Sequence, residues 1–363
     1  HPGRPSARLA DAAARAAAAY GALAVFLTDE YAPAASTQDA VGPDRYALAA
    51  RESLGAEIDV AETYRWGIEE LGRLERELAA AAQRVLPGAS VQDAFTHLNT
   101  APSLGIEGAE PFRHWLQDLM DATVESLDGS AFDIPAPLQR VEAMLAPPGG
   151  AAAMYYTAPS EDLSRPGRTW YPTLGRTWFP LWGEVSVAYH EGVPGHHLQV
   201  GGLRAEPGLT RYQRTTFLSG HGEGWALYAE RLMHELGYLE QPHYYLGYLR
   251  AQAFRAMRVV VDIGAHTGQR PPPGAGGAWT YATVLAFVLA HGWMPEPLLR
   301  SEVDRYLGWP GQAISYKVGE RVWLECREAA ARQPGFDLPA WHQRALSLGP
   351  LGLDQLRREL AVG

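Results

Sequence analysis

The sequence predicts a mainly α fold with one small antiparallel β element, and three observations carry that prediction. Apolar residues recur at helical spacing through most of the 363 residues. One stretch, 131–180, is instead broken by Pro and Gly and filled with aromatics. No low-complexity linker or internal repeat divides the chain, so one domain is expected over 1–363, with an N-terminal helical part (1–130), the Pro/Gly/aromatic part (131–180) and a helical part (181–363). A content of 47% hydrophobic and 20% charged residues suffices for a sizeable core and excludes a disordered chain. With 41 acidic against 31 basic side chains the formal charge is −10, which opposes nucleic acid and anionic lipid where no basic patch overrides it, and none is found. The lone cysteine, Cys326, excludes an intramolecular disulfide and a thiolate cage. Any metal site must then use His and carboxylate ligands.

Taken in order, Arg8 to Tyr20 is almost pure alanine with interspersed Arg and Asp, a composition of high helix propensity that continues through Phe26. The start, His1 to Ser6, lacks an initiator Met and reads as a cloning scar, a processed end or a truncation point. Asp59 with Glu62 has the form of a capping box, and Tyr64, Ile68, Leu71, Leu74 and Leu78 then repeat at helical spacing, which predicts a helix to about Val85. Ser90 with Asp93 opens a short helix, and Phe112 to Leu127 is a third. Between Ile134 and Pro180 the alternation in Ala153, Tyr155, Thr157 and in Arg168, Trp170, Pro172 predicts a small antiparallel hairpin. Helices return from Trp182, interrupted at Pro207, at Pro242 and by the Pro271 to Gly277 loop. No apolar stretch is read as approaching the roughly 20 residues of a membrane span. The longest, Ala282 to Leu289, is expected to be a buried helix. No membrane partner is therefore expected, and a soluble chain, cytoplasmic or secreted after processing, fits; no oligomeric state follows.

Chemistry concentrates in one region. Six of the twelve histidines lie between His190 and His243, three of them in the run His190-Glu191-Gly192-Val193-Pro194-Gly195-His196-His197. An HE pair on a helix is half of the HExxH zinc signature, but position 194, where the second His would stand, is Pro. Two imidazoles on one zinc need their nitrogens roughly 3.3 Å apart, whereas residues seven apart on a continuous helix are separated by about 10.5 Å along its axis. The helix must break, and Pro194 with Gly195 supply the cause. His196, or alternatively His197, then returns to the metal beside His190. A third ligand is expected from Glu223, 33 residues past His190, with Glu230 two turns on and able to hold a ligand from behind. Arg255, Arg258, Asp262 and His266 fall on one helical face, which either meets water or lines a site. Pro310 to Tyr316 places a Tyr at a helix start after a tight turn. Cys326 is expected in the core.

The run His190 to Gln199, the segment Glu223 to Glu230, the helix Arg258 to His266 and the turn Pro310 to Tyr316 occur in the order seen in the bacterial family called domain of unknown function 885, which this chain resembles. Weaker resemblance covers nearly all the chain, including Gly67 to Leu71 and Tyr155 to Gly167. The family looks like a distant relative of the glutamate-zincin metallopeptidases, and its members commonly carry more N-terminal sequence. The resemblance implies a zincin-like, mainly helical metallopeptidase domain. One Zn2+ per chain would be held by His190, His196 (His197 as the alternative) and Glu223, with Glu191 as general base. It further implies Tyr316 and either His221 or His266 as oxyanion donors, and Arg258 as a bidentate receptor for a substrate carboxylate. The function expected is zinc-dependent hydrolysis of amide bonds in short peptides or small amides. Competing readings are a hydrolase of a non-peptide amide or ester in a specialised pathway, and a non-catalytic helical binding or scaffold protein.

Overall fold

A computed structural model describes residues 7–149 and 153–361; the His1 to Ser6 start and Gly150 of the Pro/Gly run lie outside them. The chain divides into two compact units, one ending at Asp39 and the other beginning at Ala40. The first holds α1 (Ala7–Phe26), a π turn (Leu27–Tyr31) and α2 (Ala32–Ala34). Alanine explains the helix, and none of the side chains of α1 is buried. The span Ala7–Ala34, 28 residues containing an 18-residue window of mean hydropathy 1.3, is long and apolar enough to cross a membrane by length and composition. This corrects the expectation that no apolar stretch reaches such a length. Alanine is weakly apolar, so the signal emerges only when summed over a long window.

The second unit opens with α3 (Pro43–Leu54), α4 (Val60–Val85), α5 (Val91–Thr100) and α6 (Ala109–Leu127). The starts of α4 and α5 follow from their caps: the Asp59 carboxylate accepts the Glu62 N–H at 2.9 Å, and Ser90 with Asp93 satisfy each other's backbone donors. Among the described residues five short strands follow the chain as β1 (Gly105–Glu107), β2 (Val141–Leu145), β3 (Tyr155–Thr157), β4 (Gly167–Tyr171) and β5 (Trp178–Pro180). The expected hairpin is β3 against β4, with Tyr155 opposite Trp170. Two features differ from the expectation of one small antiparallel element. β2 lies parallel to β4, and β1, outside the 131–180 stretch, pairs with β5. Neither pairing joins neighbours in sequence, so no turn signal announces it.

The rest is helical: α7 (Glu184–Glu191), α8 (His196–Ala205), α9 (Arg211–Thr215), α10 (Ser219–Glu235), α11 (Pro242–Thr267), α12 (Tyr281–His291), α13 (Glu296–Gly308), α14 (Ser315–Ala331), α15 (Leu338–Ser347) and α16 (Leu353–Ala361). α11, buried along most of its length, packs chiefly on α4, and α10 on α14. At the second crossing Gly224 and Gly319 face each other so closely that a Cβ on Gly224 would stand 2.5 Å from Gly319 backbone. That crossing brings Glu223 and the start of α14 together. The expected burial of Ala282 to Leu289 holds for one face only, since Val284, Phe287 and Val288 are buried while Leu289 is exposed. Cys326 is a free, buried core residue.

Candidate functional site

The site begins where α7 stops. Gly192 N–H closes the helix on the Ala188 carbonyl (2.9 Å), Gly195 N–H reaches back to Tyr189 O (3.0 Å) and His197 N–H to Gly192 O (3.0 Å), so residues 192–195 loop out as a hydrogen-bonded turn before α8. The Val193–Pro194 peptide is cis. Trp225 Nε1 donates to Pro194 O at 2.8 Å and ties the turn to α10. Gly195 has no room for a side chain, because a Cβ would lie 2.0 Å from the His190 carbonyl oxygen. Gly195→Ala is expected to destabilise the fold by about 3 kcal/mol, the upper range for overpacking a well-packed interior, and to displace His196. Thermal unfolding and metal titration would register both effects, and a wild-type melting profile with intact metal affinity would contradict this account of the turn.

His190, His196 and Glu223 each offer one ligand atom, and these atoms lie within 4.8 Å of one another. The Nε2 atoms of His190 and His196 stand 3.4 and 3.5 Å from the same Glu223 oxygen, and the two rings meet edge to face at 4.8 Å. The two distances from Glu223 to the imidazole nitrogens approach the roughly 3.3 Å edge of a zinc tetrahedron, and a three-residue donor set would leave a fourth position open. Burial works against a charged His190, yet hydrogen bonds to Glu223 and Glu230 raise its pKa to about 9. Burial would raise Glu223, and the two imidazoles more than reverse that, holding it below the ordinary carboxylate range. The imidazoles hold Glu223 ionised, and the flanking carboxylates hold a proton on His190.

Behind His190, its Nδ1 is 2.8 Å from Glu230 Oε1, and the other oxygen of Glu230 accepts from Ser186 Oγ. This carboxylate fixes the ring so that Nε2 faces the site. Sequence periodicity pointed to Glu230; nothing in it pointed to Ser186. Glu230→Gln is expected to weaken zinc binding by roughly 10- to 100-fold. Competition with a chromophoric chelator would measure this, and an unchanged affinity would remove Glu230 from the site.

A cavity of about 510 Å³ opens over these groups, lined also by Glu191, Tyr316, Arg255, Arg258 and Phe217. Glu191 is buried at the end of α7, and among the described residues its carboxylate takes no hydrogen bond. The Tyr316 phenol is held above its usual pKa by burial and by the nearby Glu223 charge, so it remains a donor. Phe217 packs edge-on against His196 at 5.8 Å and is half exposed at the rim. No spacing marks it, because it sits between helices.

Four sequence-predicted roles change. His197 turns away from the cluster, with Nε2 2.9 Å from Leu138 O and Nδ1 3.0 Å from Tyr156 Oη. His196 is therefore the member of the pair that meets His190 and Glu223. His221 is buried beside Gln199 (2.9 Å) and Trp323, outside the cavity lining. His266 is 2.9 Å from Tyr306 O and stacks on Tyr46. It sits eleven residues beyond Arg255, about 16 Å farther along the helix axis, so the polar stripe of α11 runs out of the site. Asp262 on the same stripe accepts from Tyr46 Oη (2.7 Å) and Gly311 N–H (2.9 Å), anchoring the turn before Tyr316. Arg258 does line the cavity, but its fork is engaged: Nε donates to Tyr306 Oη (3.1 Å) and Nη2 to Glu302 (2.8 Å), with the guanidinium 4.7 Å from the Tyr316 ring centre. It positions Tyr316 instead of offering a free bidentate fork.

Fold and site together define a mainly helical protein with a cavity that gathers two His and a Glu beside a second Glu that, among the described residues, takes no hydrogen bond. The chain belongs to the family described as bacterial protein of unknown function (DUF885), which it matches over residues 3–360. Among solved structures it is similar to "the putative lipoprotein from Colwellia psychrerythraea", with 27% identity, a TM-score of 0.79, and coverage of 93% of this chain and 61% of that one. It shares its fold with "a putative lipoprotein of unknown function from Shewanella oneidensis", at 18% identity, a TM-score of 0.71, and coverage of 93% and 62%. The chain thus spans about three fifths of the length of these solved structures. No curated protein matches it.

Proposed function

We propose that this protein is a zinc-dependent hydrolase that cleaves amide bonds of short peptides, with a zincin-like metallopeptidase arrangement. The observation that carries the reading is the convergence of His190, His196 and Glu223 in one cavity with the free carboxylate of Glu191. Under this reading the three converging residues hold one zinc ion per chain. When bound, the ion supplies Lewis acidity, which makes water nucleophilic near neutral pH and polarises a carbonyl.

The remaining work belongs to the protein's own groups. Glu191 accepts a proton from the attacking water as its oxygen bonds to the carbonyl carbon, then delivers that proton to the amine as the C–N bond breaks. Tyr316, oriented by Arg258, donates a hydrogen bond to the oxygen on which negative charge develops. A cavity of about 510 Å³ suits a short peptide or small amide. The apolar Ala7–Ala34 helix and the lipoprotein titles of the two structural neighbours support export or membrane attachment over a cytoplasmic location.

The test is elemental analysis combined with an assay of amine release from a short-peptide library, with and without a chelator. The expected result is one zinc per chain and turnover that the chelator removes and added zinc restores. Zinc without turnover of any amide or ester would leave a metal-binding scaffold, and absence of zinc would overturn the reading.

A further inference from the structure

We propose that Arg255 is the receptor for a free carboxylate on the substrate, which makes this a site for short acidic-ended amides, above all peptides with an unblocked C-terminus. The inference rests on the hydrolase reading for its substrate, though its own evidence is the state of one guanidinium. Two arginines of α11 line the cavity. Arg258 is neutralised by Glu302 and bonded to Tyr306. Arg255 is not so satisfied: among the described residues it donates no hydrogen bond, and its Nε is buried without an acceptor. Its charge is paired with Glu230, whose oxygen stands 3.7 Å from Nη2, but that oxygen is beyond a hydrogen bond and is already engaged by His190, so the guanidinium's donors stay unmet.

A guanidinium whose side chain is 13% exposed has shed most of its water, and unmet donors on a charged group are costly. An arrangement of this kind is completed by a ligand carrying the missing acceptors. The planar fork fits a carboxylate with two parallel hydrogen bonds. The surroundings select what carries that carboxylate: Met154, Tyr155, Val200 and Phe217 give the same cavity an apolar wall. An apolar or aromatic residue bearing a free carboxylate satisfies both. Such a group comes from a chain terminus or from an Asp or Glu side chain, and the fork recognises either.

The test is calorimetric titration of the Glu191→Gln protein, zinc-loaded and metal-free, with three probes. These are an N-acylated Gly-Phe with a free carboxylate, its C-terminal amide, and an amidated peptide of the same length ending in Glu. The acid is expected to bind about 30-fold more tightly than the amide, the scale of hydrogen bonds between charged partners. Adding Arg255→Gln should bring the acid down to the amide's affinity, and Arg255→Lys should restore only part, since an ammonium lacks the fork. Rescue of binding by the side-chain acid would assign the preference to carboxylates in general; no rescue would confine it to the terminus. Equal binding of acid and amide by the parent protein, or an acid preference that survives Arg255→Gln, would overturn the proposal. The comparison within the parent protein needs no arginine variant to fold. Acid preference without hydrolysis by the wild type would sink the hydrolase reading alone, and hydrolysis of acid and amide at equal efficiency would sink this inference alone.

Discussion

Glu191→Gln is expected to lower kcat by about 10²- to 10⁴-fold, the usual contribution of a positioned general base, while the protein keeps its fold and its zinc. Gln preserves the shape of the side chain and loses only the ability to take a proton. The three groups that converge on the metal position are His190, His196 and Glu223, so the substitution leaves the donor set intact. Glu191 also makes no hydrogen bond among the described residues, and no structural contact is broken by removing its charge. Steady-state kinetics on the zinc-loaded variant, beside elemental analysis of the same sample, separate the two effects. Activity within tenfold of wild type would show that another group moves the proton. Loss of zinc would show instead that Glu191 belongs to the donor set.

A stability effect of comparable size to that of Gly195→Ala is expected at a buried ion-pair cluster outside the cavity lining. Lys317, 1% exposed, lies 3.0 Å from Glu70 and 2.9 Å from Gln252 Oε1, and pairs with Glu320. Lys317→Met leaves two carboxylates short of a partner in the interior. Breaking a buried pair from one side costs about 3–5 kcal/mol, and Arg73 and Arg231, which still hold Glu70 and Glu320, place this case near 3 kcal/mol. Denaturant unfolding would measure the loss, and a change below about 1 kcal/mol would contradict it. The same cluster predicts acid lability. Burial alone would raise Glu70, but hydrogen bonds and charge from Arg73 and Lys317 lower it from 4.5 to about 2. A depressed carboxylate stabilises the fold fully above its unfolded pKa, and this contribution disappears as the pH falls from about 4.5 towards 2. Glu302, lowered to about 2 by Arg258 and Arg305 against its burial, acts in the same window.

Much of this was legible in the residues because it is local. Helix starts at Val60 and Val91 follow from Asp59 and Ser90, and the break between His190 and His196 follows from a proline and a glycine where a helix could not continue. The pairing of β2 with β4, the turning away of His197 and the engagement of Arg258 were not legible. Each depends on a partner far along the chain: Gly167, Leu138 and Glu302 respectively. A helical stripe names a face but not how far along that face a cavity extends, which is why His266 read as a site residue and lies outside the lining. Arg255 lay in the same stripe, and only the absence of an acceptor around it sets it apart.

The central claim is that a looped turn brings two imidazoles and a distant glutamate onto one divalent ion. Anomalous diffraction collected on either side of the zinc absorption edge, from crystals of the zinc-loaded protein, tests it most directly. The account predicts one peak, bonded at about 2.0–2.2 Å to His190 Nε2, His196 Nε2 and a Glu223 oxygen. A peak on other residues, or none among these three, would contradict it.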